Sequence, residues 1–173
     1  MNTRNLMQRT AVSVAALALF ALPAAAQTPA AEGPVEQHPT AIYTGTCDDP
    51  GELVADLVSL IEPEGTSVGA ADANAVKQGS AVVDMPVTEL VSDDHILIAT
   101  GGPTYAPGRQ EEVIACGAIG GVEVDGVLTF GLAPVNASEH VGLATISDQA
   151  GHALVTMYIV EYPGSEAFDT AQQ

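Results

Sequence analysis

Val122-Glu123-Val124-Asp125-Gly126-Val127-Leu128-Thr129-Phe130-Gly131-Leu132-Ala133 carries the clearest fold signal in the chain. Apolar and polar residues alternate on both sides of Asp125-Gly126, a dipeptide that tolerates the left-handed backbone of a two-residue hairpin turn. The pattern predicts two antiparallel strands. Further on, residues 141–147 and 152–161 flank Asp148-Gln149-Ala150-Gly151, which predicts a second hairpin with Gly151 available for a positive φ. Upstream, residues 80–90 place Ala81, Val83, Met85 and Val87 on one face, and Pro86 marks an edge strand or a bulge. Residues 95–99 form a compact apolar run and residues 112–118 another, with a Gly/Pro loop at 100–110 between them. In residues 52–61 the apolar positions Leu53, Val54, Leu57, Val58 and Ile61 also fit a helical stripe, but the β pattern around them favours extended structure. About eight short strands separated by turn signals predict an all-β fold, an antiparallel Greek-key sandwich or barrel.

The chain divides into four parts. Arg4 and Arg9 precede an apolar run at 11–22, Pro23 interrupts it, and Ala24-Ala25-Ala26 supplies a small-residue cleavage site. This is the pattern of a secretory signal peptide over residues 1–26. Its apolar run of about 12 residues is shorter than the roughly 20 needed to span a bilayer, and no later run reaches that length, so no membrane span is expected. Residues 27–39, rich in Pro, Ala and Glu, read as a flexible leader, 40–163 as the β domain, and 164–173 as a disordered tail. The expected location is periplasmic or extracellular.

Beyond the signal, two cations, Lys77 and Arg109, stand against 22 acids, a formal charge of −20. Such a surface repels nucleic acid and anionic membranes. It suits solubility in a saline exterior and weak, diffuse cation binding. There is no Trp and few other aromatics, so the core must come from Val, Ile, Leu and Ala, of which the β-branched members favour strands.

Cys47 and Cys116 are the only cysteines. In an exported chain their pairing is the default. The bridge would close a loop of about 70 residues, worth roughly 4 kcal/mol on the chain-entropy model. Without a C-x-x-C spacing, a thiolate metal site is the weaker alternative.

At these cysteines the chain resembles a known pattern. Ala115-Cys116-Gly117-Ala118-Ile119-Gly120 looks like the last-strand motif of copper/zinc superoxide dismutases, and His38-Pro39-Thr40-Ala41-Ile42-Tyr43-Thr44-Gly45-Thr46-Cys47 looks like the His-x-His strand of that sandwich with its following Gly and Cys. It is similar as well to small secreted bacterial proteins with a Gly-Thr-Cys and later Ala-Cys-Gly-x-Ile-Gly-Gly pattern. The likeness runs from about residue 38 to 162, its intervening strands being generic, and it implies a superoxide dismutase-like fold with a disulfide. The ligand positions depart from the family: its histidines fall on Ala41, Tyr43 and Thr100, and its substrate-guiding arginine on Val113. Copper is suited by several imidazoles on a rigid frame, so the expected site has no catalytic residues, no metal and no cofactor. The alternative is a copper or zinc site relocated onto the four remaining histidines beyond the signal, His38, His95, His140 and His152.

Other motifs carry less. Asp48, Asp49 and Glu52 fit a turn better than a calcium loop, and Asp93-Asp94-His95 reads as a turn into a strand. Gly101-Gly102-Pro103 and residues 117–121 open no helix, so phosphate binding is unsupported. Asn136-Ala137-Ser138 matches a glycosylation sequon by chance. The expected function is an exported, disulfide-bonded, non-catalytic binding or structural module for a protein or small ligand, with the loops at 62–79 and 100–110 as contact surface. The alternative is a periplasmic metal-handling or redox protein.

Overall fold

The structure, a computed structural model, describes residues 36–160 apart from 67, 71, 72, 75 and 106. The signal-peptide and tail assignments lie outside the described residues. In chain order the elements are β1 (Gln37–His38), β2 (Thr40–Gly45), β3 (Pro50–Asp56), β4 (Leu60–Ile61), β5 (Val76–Val83), the single helical turn α1 (Val87–Leu90), β6 (His95–Thr100), β7 (Val113–Ala118), β8 (Val122–Val124), β9 (Val127–Pro134), β10 (Val141–Gln149) and β11 (His152–Val160). Eight of these strands have six residues or more. Every pairing is antiparallel. The all-β expectation therefore holds, and so does extended structure at Glu52.

The strands hydrogen-bond in the order β1-β4-β5-β11-β10-β9-β7-β6-β2-β3, with β8 on β9. One device curls this long sheet. β1 and β2 are separated only by Pro39, and β3 and β4 only by residues 57–59, so residues 37–61 are one hairpin. Its register slips at bulges, from Gln37↔Ile61 and His38↔Leu60 to Ala41↔Asp56 and Gly45↔Pro50. Bulges bend and twist a strand pair. The hairpin thus pairs through β4 with β5 at one end of the order and through β2 with β6 at the other. Glu36 to Pro39, which composition assigns to the leader, belong to the described fold: Gln37–His38 is β1, and His38 is fully buried.

The two sequence-predicted hairpins form. Asp125 (φ 51°) and Gly126 (φ 79°) turn β8 into β9, and Ala150 (φ 56°) with Gly151 (φ 89°) turn β10 into β11. The second turn is tighter than the four-residue cluster implies, because Gln149 pairs with His152. At Pro86 the alternation misleads. The strand stops at Val83 and Pro86 caps α1, where a missing backbone N–H costs nothing. Nor is β5 an edge, since β11 and β4 flank it.

Inward positions of β9, β10 and β11, among them Leu128, Phe130, Ile146, Val155 and Met157, meet Ile42, Leu97 and Ile114 in the main core. Leu90 of α1 is buried at one end of it. β9 passes from β7 to β10, pairing with β7 only at Ala115↔Pro134 and Cys116↔Ala133. A Cβ at Gly117 would overlap the Gly131 carbonyl at this crossing, which accounts for the glycine after Cys116.

Candidate functional site

The disulfide forms between Cys47, in the exposed hairpin tip, and Cys116 on β7, with Cα atoms 5.8 Å apart. That spacing suits an unforced bridge. It fastens the tip across β6. On this outer side Ile96, Ile98 and Cys116 are buried with Tyr43, Val113 and Val135 packed on them. Ala41 pairs with Ile98 and Tyr43 with Ile96. These are the positions at which the superoxide dismutase likeness implies copper ligands. Around them lie isoleucines and valines, with one phenol as the sole donor side chain of that cluster, and this donor set does not fit copper.

Polar chemistry gathers at the opposite end of β6 instead. His38 is fully buried, and Lys77 on β5 is 3% exposed. The His38 ring reaches the Gly101 carbonyl through Nδ1 at 2.9 Å and the Lys77 ammonium through Nε2 at 3.1 Å. A carbonyl can only accept and an ammonium only donate, so both bonds together require the neutral ring with its hydrogen on Nδ1. Lys77 also contacts Glu36 at 2.9 Å, with that carboxylate 26% exposed. The His140 ring stands edge-on to His38, centroids 5.3 Å apart, and Tyr105 is 6.4 Å and 6.0 Å from the two rings. Arg109 lies over Tyr105 at 5.6 Å and pairs with Glu112 through two nitrogens. The Arg109 hydrogen bond holds the Glu112 carboxyl below its usual range. Both cations among the described residues, Lys77 and Arg109, are thus at this one end.

Local sequence fixes each part. The segment before His140 carries three non-glycine residues with positive φ, Asn136, Ala137 and Glu139. Such backbone persists only where surroundings over-determine it. Here Asn136 Nδ2 donates to the Val113 carbonyl and the Ser138 hydroxyl to that of Ile114, while His140 Nδ1 meets the Ser138 carbonyl at 2.7 Å. Two residues of the sequon are therefore internal hydrogen-bonding groups.

The glycines at 101 and 102 let the following loop close over this end. A Cβ on Gly101 would overlap the Tyr105 ring, and one on Gly102 (φ 80°) the Gln37 carbonyl. Gly102→Ala should consequently cost about 2 kcal/mol, from backbone strain and displacement of β1. Urea unfolding checks this, with Gly108→Ala, where a Cβ would meet open space, as a control for the strain of a positive φ alone.

Of the four histidines considered for a relocated site, His38 and His140 meet. The others do not join them. His95, at the far end of β6, bonds the Leu90 carbonyl at 3.1 Å, and His152 contacts Asp84 at 3.1 Å beside the β10–β11 turn. Among the described residues no group of three or more His, Cys, Asp or Glu is arranged to hold a metal ion. No buried side-chain nitrogen or oxygen among them lacks a hydrogen-bond partner. Asp49 closes a turn on Thr46, as the turn reading expects. No helix of the described residues is long and apolar enough to cross a membrane. Sequence inspection passes over Glu36, Lys77 and Tyr105 as site residues; the scarcity of cations is the signal that points to Lys77. Comparison with protein-family models, with curated proteins and with solved structures returned no match.

Proposed function

We propose that the protein is an exported, non-catalytic binding or structural module, a disulfide-fastened relative in fold of the superoxide dismutase sandwich that works without its metal centre. The observation that carries this reading is the apolar cluster of Ile96, Ile98 and Cys116, with Tyr43 packed on it and Ala41 paired with Ile98, where the likeness would put copper. The polar end supports it: His38 spends both ring nitrogens on Gly101 and Lys77. A periplasmic or extracellular site agrees with a disulfide, which persists in oxidising compartments. The exposed residues 62–66 and 68–70 offer contact surface, whereas Gly101, Gly102 and Tyr105 of the other loop are committed to the polar end.

The test is copper and zinc binding by the purified oxidised protein, read by metal content and calorimetry. The expected result is weak, salt-sensitive uptake over many sites. One-to-one binding that His38→Ala or His140→Ala abolishes would overturn the proposal. It would establish the second reading, a metal-handling site relocated to the one pair of imidazoles the fold brings together, 5.3 Å apart.

A further inference from the structure

On the outer side of the sheet made by β5, β11, β10, β9 and β8, charge is missing. The register defines its rows. One reads Val82, Leu154, Ser147, Val127 and Val124 across the five strands. The next reads Ser80, Thr156, Thr145, Thr129 and Val122. Beyond it Gln78, Tyr158, Leu143 and Gly131 align, then Val76, Val160 and Val141. None of these outward positions holds Asp, Glu, Lys or Arg. Glu123 and Asp148 fall on the opposite face, paired with Leu128 and Ala153. Charge returns at the rim, in the Asp84–His152 contact.

In a chain with 22 acids such a surface is unexpected if its role is only to face water. It is open: Val122 is 74% exposed, Val82 54% and Leu143 44%. The central row is Ser and Thr with Val122 at its end, and Ser80 and Thr156 already bond each other at 2.9 Å. With strands about 4.8 Å apart and alternate residues about 6.8 Å apart, the footprint is roughly 600 Å² including its margins. That matches the upper end, about 600 Å², of the largest patch on a typical monomer and is about three quarters of the roughly 800 Å² each partner buries in a standard interface.

We infer that this face is the interface of a homodimer, two copies packing sheet to sheet about a two-fold axis. A second copy is the occupant that the charge pattern selects. Two bodies of like charge near −20 repel wherever their acids meet, and this face brings no acid opposite another. A basic partner would find no counter-charge here. Two such uncharged faces can pack as aligned sheets do, and a two-fold contact needs only self-complementarity. The inference is independent of the metal question.

Sedimentation equilibrium of the oxidised protein tests it. Residual repulsion between the copies is screened as the Debye length falls from about 10 Å at 0.1 M salt to about 3 Å at 1 M, so dimerisation should tighten at least about tenfold over that range. Leu143→Glu and Val82→Glu, each placing a carboxylate within the face, should both give monomers that keep the far-ultraviolet circular dichroism spectrum of the parent. Leu53→Glu, on β3 outside the face and 50% exposed in the parent residue, should leave the dimer intact. A monomer at both salt concentrations at about 100 μM, well above a micromolar Kd, overturns the proposal; it would mean that the face serves the chain's own ends or an uncharged polymer. A dimer that survives both substitutions also overturns it.

Discussion

Removing the Cys47–Cys116 bridge, by the pair Cys47→Ala and Cys116→Ala or by reduction, should lower the free energy of unfolding by about 4 kcal/mol. The cysteines are 69 positions apart, so the bridge removes a large share of unfolded-chain freedom. Against a usual domain stability of about 5–15 kcal/mol this is a large fraction, equivalent to a fall of roughly 15 °C in the unfolding midpoint. The native state has its own reason to depend on the bridge. The hairpin carrying Cys47 has register shifts between Ile42 and Tyr43 and between Tyr43 and Gly45, so its own ladder is interrupted beside the tip. Cys116 is 2% exposed within the small apolar cluster of Ile96 and Ile98, and loss of its sulfur also loosens that packing. Urea unfolding of the oxidised and reduced forms at one pH provides the measurement. A difference under about 1 kcal/mol would mean that the reduced chain retains the closure by other contacts.

Lys77→Met should cost about 3 kcal/mol. The substitution keeps the length of the side chain and deletes its charge. It leaves His38 Nε2 buried without the donor it had at 3.1 Å, and Glu36 without the cation at 2.9 Å. A buried acceptor left unmatched costs about 1–3 kcal/mol, and removing one partner of a buried ion pair about 3–5 kcal/mol. Glu36 is partly open to water, which holds the sum near the lower end. Lys77→Met with His38→Leu should recover part of the loss, since replacing both polar partners is gentler than stranding one. A double-mutant cycle by urea unfolding measures that coupling. Strict additivity would show that the two side chains do not act as a pair.

The strand content was legible because it is local. Asp125-Gly126 and the alternation beside it describe a hairpin without reference to anything distant. The same alternation misread residues 84–87, because Met85 and Val87 continue the apolar period while Pro86 and the buried Leu90 turn the chain into one helical turn. The polar end was far less legible. Glu36 and His38 sit in a Pro- and Glu-rich stretch whose composition resembles a leader, and the groups they meet, Lys77 for both and Gly101, Tyr105 and His140 for His38, are all distant in sequence. Four histidines could be listed in advance as candidates; which two converge depends on β4 joining β1 to the start of β5, and no spacing encodes that.

The strand order also sets a timetable for synthesis. β11, the last of the described strands to leave the ribosome, belongs between β5 and β10, and it has nine paired positions on β10 and eight on β5. Until it arrives, β5 and β10 each present an open edge, the template for pairing with a neighbouring chain. A nascent or prematurely terminated product ending before residue 152 would therefore leave both of those edges unfilled. Quality control would see an adhesive fragment until the nine residues of β11 have paired with β10 and β5.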